Sequence, residues 1–382
     1  MAIATVPLFT ESSVKQLDDI LMRICVELQL GEPLHGLANT SYQAVAKCLE
    51  SQSVIARLKP TIYPQGSMLL DTTVIPLVGD EHDLDFVCEY NCGPTAFKDP
   101  VHALDLIERA LRASDVYDPM VERMNRCIRL NYARQFHMDI LPACKDPEKG
   151  GTYILVPDRK LGAWSPSNPK GFAVWFEGQA RQVFVRQMLE KAAPLPIPET
   201  AQQKLPLKLC VQLLKRWRDT HFSNDPSVAI SVVLTALAGQ VYRGEQSVSR
   251  AMEGILVEIS VLIQSSWPRL VVQNPKNAEE DLSERWDDNP KGYAEFVSGI
   301  TEFGEQWKAL SQTRGIDRVT RALEHLFGEN VAKRVVEKQA RDIEAARALN
   351  ELGMKKGSGI VTSVLSGSVV PIPRNTFYGE EE

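Results

Sequence analysis

Two aspartates that flank one apolar residue, Asp83 and Asp85, are the side chains best suited to chemistry in this sequence of 382 residues. They open the run DLDFVCE, whose composition predicts a strand over residues 83–90. Residues two apart on a strand share a face, so both carboxylates point one way while Leu84 and Phe86 face a core. Two like charges held together favour a cation between them, and carboxylate oxygens are ligands that suit Mg²⁺.

A Gly-Ser pair, Gly66 and Ser67, precedes this strand, with Gln65 directly before it. A glycine turn exposes unhindered backbone N–H groups and the serine adds a hydroxyl, so the pair is suited to holding a phosphate. A phosphate-binding turn close to metal-binding carboxylates is what phosphoryl or nucleotidyl transfer requires.

A third aspartate, Asp139, lies in the apolar segment FHMDILPA. The alternating pattern over residues 121–142 predicts two antiparallel strands, of which this segment is the second. A carboxylate there is unfavourable unless it is paired or bound to a metal. One interpretation pairs Asp139 with an arginine, Arg126 or Arg129. The favoured interpretation, given the aspartate pair of the earlier strand, makes Asp139 the third metal ligand.

The rest of the chain predicts mostly helix around these strands. Apolar residues at spacings of three and four predict helices over residues 11–30 and 37–58, and another covers 100–113. Residues 152–178 are predicted to be rich in loops, and the chain beyond residue 200 is predicted to be nearly all helix. The order of elements indicates an α+β fold.

Three parts of the chain differ in character. Residues 1–195 are predicted to form a core lobe with N-terminal scaffold helices, and residues 196–350 a helical lobe. Residues 351–382 are rich in Gly, Ser and Pro, which predicts a flexible C-terminal tail.

Composition narrows the class of protein. The chain is 44% hydrophobic and 24% charged, as in ordinary globular proteins, and its net charge is −6. An acidic balance argues against an extended nucleic-acid surface but allows small nucleotides held with Mg²⁺. Seven cysteines without a CxxC pair predict reduced thiols in a cytoplasmic protein. The sequence shows no apolar run of membrane-spanning length, so we expect no membrane association.

The helical lobe offers further candidates for phosphate binding. Lys204, Lys208 and Lys215 recur along one predicted helix, which is typical either of a solvated basic face or of a phosphate clamp. Ser231 lies in a strongly apolar helix, where a serine usually bonds a carbonyl of the preceding turn.

The set Gln-Gly-Ser, Asp83-x-Asp85 and a later strand aspartate resembles the nucleotidyltransferases of the DNA polymerase β type. Further motifs resemble bacterial relatives of cyclic GMP–AMP synthase, the CD-NTases of antiphage (CBASS) operons, with clade D indicated by general similarity. These motifs are SNPKGF at 167–172 followed by Trp175-Phe176, LKRW at 214–217, and Asn274-Pro275 followed by LSERW at 282–286. The resemblance covers about residues 10–345.

The resemblance implies a bilobed fold, in which a mixed sheet carries the aspartate triad and a helical lobe closes over it. By position, Asp83, Asp85 and Asp139 would be catalytic and hold two Mg²⁺. The residues implied to bind the nucleotide are Gln65, Gly66, Ser67, Lys208, Lys215 and Ser231, with Ser227 as a rival to Ser231. Asp287 and Asp288 are candidates for the base pocket.

The implied activity is synthesis of a cyclic di- or trinucleotide second messenger from ATP and possibly GTP or another NTP, in antiphage signalling. The tail would meet a protein regulator, either a ubiquitin-transfer-like enzyme or a HORMA protein. The chain lacks the His/Cys zinc insertion of the animal synthase. Two alternatives are a nucleotidyltransferase that modifies RNA, a protein or a small molecule, and a catalytically inactive nucleotide-binding module. The intact triad argues against the second.

Overall fold

The computed structural model describes most of the chain. The described residues are 11–77, 81–132, 136–181, 198–313, 316–356, 361–363 and 369–372. The strand connection expected near residue 133 and the end of the tail, 373–382, lie outside these ranges.

A seven-stranded mixed sheet forms the centre of the first lobe. Its strands are β1 (Thr61–Pro64), β2 (His82–Tyr90), β3 (Val121–Arg123), β4 (Ile128–Tyr132), β5 (Phe136–Lys145), β6 (Ile154–Asp158) and β7 (Ala163–Ser167). Their order is β1-β2-β5-β4-β3, while β6 extends the end of β5 and β7 pairs with β6. Strands β2 and β5 are parallel, and the other described pairs of this sheet are antiparallel. The strand predicted over 83–90 and the antiparallel pair within 121–142 are confirmed.

Helices cover one face of the sheet and leave the aspartates on the other. The helices of this half of the chain are α1 (Glu11–Glu27), α2 (Glu32–Ser51), α3 (Ser53–Arg57), α4 (Gly66–Leu70), α5 (Pro100–Arg112) and α6 (Pro169–Arg181). Tyr42 of α2 stacks on Phe86 of β2 with ring centroids 4.3 Å apart. Ile107 of α5 and Met138 of β5 belong to the same core. Even-numbered residues of β2 and β5 therefore face this core, and odd-numbered residues face away from it.

The loop-rich region predicted over 152–178 is wrong, because β6, β7 and α6 occupy most of it. Helix α6 begins where the sequence carries a clear start signal. The Asn168 side chain accepts a hydrogen bond from the Gly171 N–H at 2.9 Å, and Pro169 occupies the first turn. Prolines inside β6 and β7 and the nearby glycines are typical of loops, so the composition did not indicate these strands and this helix.

Seven helices build the second lobe. They are α7 (Pro206–His221), α8 (Ser231–Val241), α9 (Val248–Gln264), α10 (Arg285–Asp288), α11 (Pro290–Gln312), α12 (Ile316–Phe327) and α13 (Glu329–Ala348) among the described residues. The apolar face of α1 belongs to the same hydrophobic cluster as these helices, whereas α2 belongs to the cluster of the sheet. The boundary near residue 195 stays a prediction.

A short hairpin joins the two lobes. It consists of β8 (Gln273–Asn274) and β9 (Asn277–Asp281). Glu280 accepts hydrogen bonds from the Ser167 hydroxyl at 2.8 Å and the Asn168 N–H at 3.1 Å. Burial raises the pKa of Glu280. The hairpin is thereby fixed to the end of β7 and the start of α6.

The described part of the tail forms an antiparallel sheet, and the flexibility of residues 351–382 stays a prediction. Its strands are β10 (Leu352–Lys355), β11 (Val361–Ser363) and β12 (Val369–Pro371), with β10 in the middle. This sheet lies against α13. Among the described helices, none has both the length and the apolar character needed to cross a bilayer. All seven cysteines are free thiols in the structure.

Candidate functional site

The three aspartates share the outer face of two neighbouring strands. Asp85 on β2 is the Cα partner of Asp139 on β5, and Asp83 is the partner of His137. Because β2 and β5 are parallel and the four residues are odd-numbered, all four side chains project from the same side of the sheet. The structure thus brings together the carboxylates that the sequence marks as a possible triad.

The group of carboxylates is electrostatically unfavourable by itself. The pKa of Asp85 is raised to about 7, first by burial and then by repulsion from Asp139 and Asp83. The side chain of Asp83 is 62% exposed. The surrounding protein still raises its pKa through loss of hydration, against the positive charges of Arg129 and Arg218. A bound cation would relieve this repulsion.

Arg129 on β4 is the arginine that meets Asp139. Its Nε donates to one carboxylate oxygen at 2.7 Å and Nη2 donates to the other at 2.8 Å. The same Nη2 lies 3.6 Å from Asp83 Oδ1. Arg126 pairs instead with Asp158 and Glu284. Asp139 is therefore both paired with an arginine and placed beside the other two aspartates.

The donor set fits a hard divalent cation, although the side chains do not form a closed cage. Three carboxylates on adjacent strands supply the oxygen ligands that Mg²⁺ prefers, and their mutual repulsion favours a cation. Within the described ranges, no three His, Cys, Asp or Glu side chains stand in a ready metal-binding arrangement. Asp139 is held by the fork of Arg129, and the Asp83 side chain is largely exposed.

The Gly-Ser pair lies against Asp85. The Gln65 N–H donates to the Asp85 carbonyl oxygen at 2.8 Å, which ties the turn to β2. Gly66 has a φ of +58°, and a Cβ built on it would stand 3.0 Å from Asp85 Oδ2. Glycine is therefore required for both its backbone conformation and the close approach. Ser67 follows in the first turn of α4.

Lys215 reaches the segment that follows the Gly-Ser helix. Its Nζ donates to the Thr72 carbonyl at 3.1 Å and to the Thr72 hydroxyl at 3.0 Å. Burial lowers its pKa to about 7, with the positive charge of Arg218 acting in the same direction and Asp85 acting against it. The lysine thus lies between the helical lobe and the Gly-Ser side of the aspartate group.

Lys208 is held elsewhere. Its Nζ lies 3.1 Å from Glu177 Oε2 and 3.1 Å from Glu199 Oε2, and its side chain is 6% exposed. The structure therefore pairs Lys208 with two carboxylates, and its expected contact with the nucleotide stays a prediction. Glu177 and Glu199, which both lie outside α7, form ion pairs with this lysine.

Ser231 is favoured over Ser227 by its surroundings. The Ser231 hydroxyl accepts a hydrogen bond from Arg218 Nη1, and Arg218 also pairs with Asp219. The Ser227 hydroxyl donates to Asp225 at 2.5 Å, within its own turn. Arg218 is a cation of the site that the sequence interpretation missed. A signal was present, because Arg218 follows Lys215 by three residues and shares its side of the helix.

The aspartates proposed for a base pocket are partly engaged. Arg269 donates to both oxygens of Asp287, at 2.7 and 2.6 Å, and also pairs with Asp281. Asp288 follows as an exposed residue at the end of α10. Asp287 therefore stabilises the hairpin region through Arg269.

Proteins of known name match this chain in sequence. The profile of the Second Messenger Oligonucleotide or Dinucleotide Synthetase (SMODS) domain matches residues 16–179. A protein of Roseivirga ehrenbergii named c-di-GMP synthase is 31% identical over 379 residues, which cover 98% of this chain and 100% of that protein. The cyclic dinucleotide synthase CdnG of Bradyrhizobium diazoefficiens is 30% identical over 308 residues, covering 71% of this chain and 70% of that protein.

Solved structures share the fold. The Bradyrhizobium diazoefficiens CD-NTase CdnG in complex with GTP aligns with a TM-score of 0.67 at 24% identity, covering 84% of this chain and 98% of that one. The CdnC:HORMA-deltaN complex of Escherichia coli MS115-1 aligns with a TM-score of 0.56 at 12% identity, covering 79% of this chain and 94% of that one. The expected two-lobed arrangement of a mixed sheet and a helical lobe is confirmed by this likeness.

Proposed function

Because the chain belongs to the bacterial CD-NTases, nucleotidyltransferases of the polymerase β-like superfamily, we propose that it condenses GTP into cyclic di-GMP. The chain is a nucleotidyltransferase of cyclic oligonucleotide synthesis. One structural observation carries the assignment of the site: Asp85 and Asp139 are direct neighbours on parallel strands, and Gly66 lies against Asp85. Guanine as the base is supported by the name of the relative that aligns over the full chain, and by GTP in the structure of CdnG.

Asp83, Asp85 and Asp139 are the residues that would hold the divalent metal, and we propose two Mg²⁺ ions. Bound there, the ions would stabilise charge on the acceptor oxygen and on the departing pyrophosphate. The raised pKa of Asp85, which follows from burial and from its acidic neighbours, supports a cation at this position.

The donor triphosphate is assigned to the space between the Gly-Ser turn and α7. Gln65, Gly66 and Ser67 would supply backbone N–H groups and a hydroxyl from the sheet lobe. Lys215 and the pair Arg218–Ser231 would supply charge and a hydroxyl from the helical lobe. In its charged form Lys215 has one N–H left after its two bonds to Thr72, and a phosphate beside it would favour that form.

We assign to Asp139 the role of contacting the acceptor hydroxyl. Its carboxylate would accept the hydroxyl proton or orient its oxygen toward the α-phosphorus, and Arg129 fixes the plane of that carboxylate. One transfer gives a linear dinucleotide and releases pyrophosphate. A second transfer within that dinucleotide closes the ring and releases a second pyrophosphate. Positioning and charge stabilisation supply most of the rate enhancement in such transfers.

The biological setting is also a proposal. We infer a role in antiphage signalling in the cytoplasm, where nucleoside triphosphates are available. The tail is the proposed contact for a protein regulator. The CdnC:HORMA-deltaN complex among the similar structures supports a HORMA protein, and a ubiquitin-transfer-like enzyme is the other candidate.

The test is product analysis with Mg²⁺ and GTP alone, ATP alone, both together, or RNA with labelled GTP. Phosphatase treatment removes unreacted nucleotide, and mass spectrometry identifies what survives. GTP alone is expected to give cyclic di-GMP, and the double variant Asp83→Asn with Asp85→Asn is expected to give none. Asp115→Asn, an exposed aspartate in a turn after α5, is the matched control. An adenine-containing product would overturn the guanine assignment, and label in RNA would favour an RNA-modifying enzyme.

A further inference from the structure

Arg129 sits in a row of charged residues that crosses four strands. The Cα partners in this row are Asp85 on β2, Asp139 on β5, Arg129 on β4 and Glu122 on β3. The arginine thus stands between two acids. Its hydrogen bonds go to Asp139, while Glu122 accepts one from the Asn131 side chain at 3.1 Å. The sheet therefore directs this guanidinium toward the aspartate group rather than toward the edge strand.

The contact between Arg129 and Asp139 uses both oxygens of the carboxylate. The two side chains are 22% and 16% exposed, so the pair is partly shielded from solvent. One arm of the guanidinium also lies 3.6 Å from Asp83. A planar fork of this kind fixes the orientation of a carboxylate as well as neutralising it. Arg129 therefore acts on two of the three carboxylates assigned to the metal.

We propose that Arg129 is a positioning residue that serves as an internal cation of the aspartate group. It holds Asp139 in one orientation, and its charge competes with the divalent metal for Asp139 and Asp83. The inference rests on the proposed function, in which these aspartates hold Mg²⁺.

The two effects of Arg129 have opposite signs. Its charge weakens metal binding, because a guanidinium and a divalent cation repel each other across shared carboxylates. Its fork raises turnover, because an oriented Asp139 presents its oxygen to the acceptor hydroxyl. Removing a residue that only supports a metal ligand weakens metal binding. Removal of an internal cation strengthens it, so the sign of the change identifies the role.

The test measures Mn²⁺ binding to the full chain without nucleotide, from the electron paramagnetic resonance signal of free Mn²⁺. Arg129→Gln is expected to bind Mn²⁺ about tenfold tighter than the unchanged protein, since loss of one positive charge at this range has that effect even with water-like screening. Its kcat at saturating metal is expected to fall by about 10- to 100-fold with little change in the KM for GTP.

Arg129→Lys separates charge from geometry. It keeps the charge and loses the fork, so its Mn²⁺ affinity is expected to stay within about threefold of the unchanged protein while its kcat falls. Arg243→Gln is the control for net charge, because Arg243 forms a surface ion pair with Glu258 and its side chain is 70% exposed. Its metal affinity and kcat should both be unchanged.

Thermal unfolding with and without Mn²⁺ shows whether each variant is folded, and Arg129→Gln should gain more in Tm from Mn²⁺ than the unchanged protein does. Equal or weaker Mn²⁺ binding by a folded Arg129→Gln overturns the internal-cation role. If Arg129→Gln does not fold, Arg129→Lys decides, and loss of its Mn²⁺ affinity overturns the role.

A different result tests the proposed function. If the unchanged protein and the Asp83→Asn, Asp85→Asn variant bind Mn²⁺ equally, the aspartates are not the metal site.

Discussion

Replacing Gly66 by alanine tests the contact between the Gly-Ser turn and the aspartates. Gly66 has a φ of +58°, and its missing Cβ would stand 3.0 Å from Asp85 Oδ2. Gly162, in the turn between β6 and β7, is the matched control. It has a φ of +60°, and nothing lies within 4 Å of a Cβ built there. The two substitutions impose the same backbone strain, and only the first disturbs a carboxylate.

The magnitudes follow from these two numbers. An alanine in the left-handed region costs about 1–2 kcal/mol, partly offset by the lower entropy of its unfolded chain, so both variants should lose about 1 kcal/mol of unfolding free energy. In Gly66→Ala the Asp85 oxygen must also retreat by roughly 0.4 Å to reach ordinary contact distance. Misplacement of a reacting group by about 1 Å lowers the rate by about 100-fold, so a shift of roughly 0.4 Å is expected to lower kcat by about 5- to 10-fold.

The assay combines initial rates of cyclic product formation from GTP with denaturant unfolding of both variants. Gly162→Ala should keep its kcat within about twofold of the unchanged protein while sharing the loss of stability. If Gly66→Ala kept a kcat within about threefold of that of Gly162→Ala, the close approach would have no catalytic role. If both variants lost activity equally, backbone strain alone would explain the loss.

Three further predictions concern α7. Lys208→Met should lower the unfolding free energy by about 1–3 kcal/mol, because the buried ion pair with Glu177 and Glu199 is lost. The KM for GTP should be unchanged, and a raised KM would show that Lys208 contacts the nucleotide. Arg218→Gln should raise the KM for GTP about tenfold or more with a small change in Tm, since charge-assisted hydrogen bonds contribute about 1.5–3 kcal/mol, and an unchanged KM would remove Arg218 from that site. Burial lowers the pKa of Lys215 from 10.5 to about 7, so as pH falls across that window the unfolded chain binds a proton that the folded protein does not. As pH falls from about 10 to about 7, the unfolding free energy of Lys215→Met should therefore rise relative to that of the unchanged protein. If the difference in unfolding free energy between the two proteins were the same at pH 9.5 and pH 7.5, the buried, neutral lysine would be contradicted.

The aspartate face was predictable because strand periodicity is a local property. The spacing of Asp83 and Asp85 and the apolar neighbours of Asp139 are enough to place each carboxylate opposite a core. The pairing of β2 with β5 is not local, since more than forty residues separate the two strands and their parallel register depends on the intervening helix and hairpin. The sequence therefore predicted which side chains take part, and the sheet determined which of them are neighbours.

Lysine partners could not be predicted from the same periodicity. Lys208 and Lys215 lie seven residues apart and share one side of α7, so the helix alone treats them alike. The difference comes from other elements: Glu177 of α6 and Glu199 reach Lys208, whereas Thr72 reaches Lys215. Arg218 was missed for the same reason, because its significance depends on the position of Ser231 at the start of the next helix.

Helix α7 also fixes the chain that connects the two halves of the site. Residues 71–75 lead from the Gly-Ser helix toward the Asp83 strand, and side chains of α7 and of Lys204, which lies just before that helix, bond their carbonyl oxygens. The bonds run from Lys204 to Asp71 at 2.9 Å, from Lys215 to Thr72 at 3.1 Å, from Gln212 to Thr73 at 2.7 Å and from Arg216 to Ile75. Carbonyls that are shielded from water in a segment without regular structure need such donors, and this segment is buried at Thr72 and half-buried at its other residues. The helical lobe therefore holds the Gly-Ser turn and the aspartates at a fixed separation, so a change in α7 that spares every proposed nucleotide contact can still alter turnover.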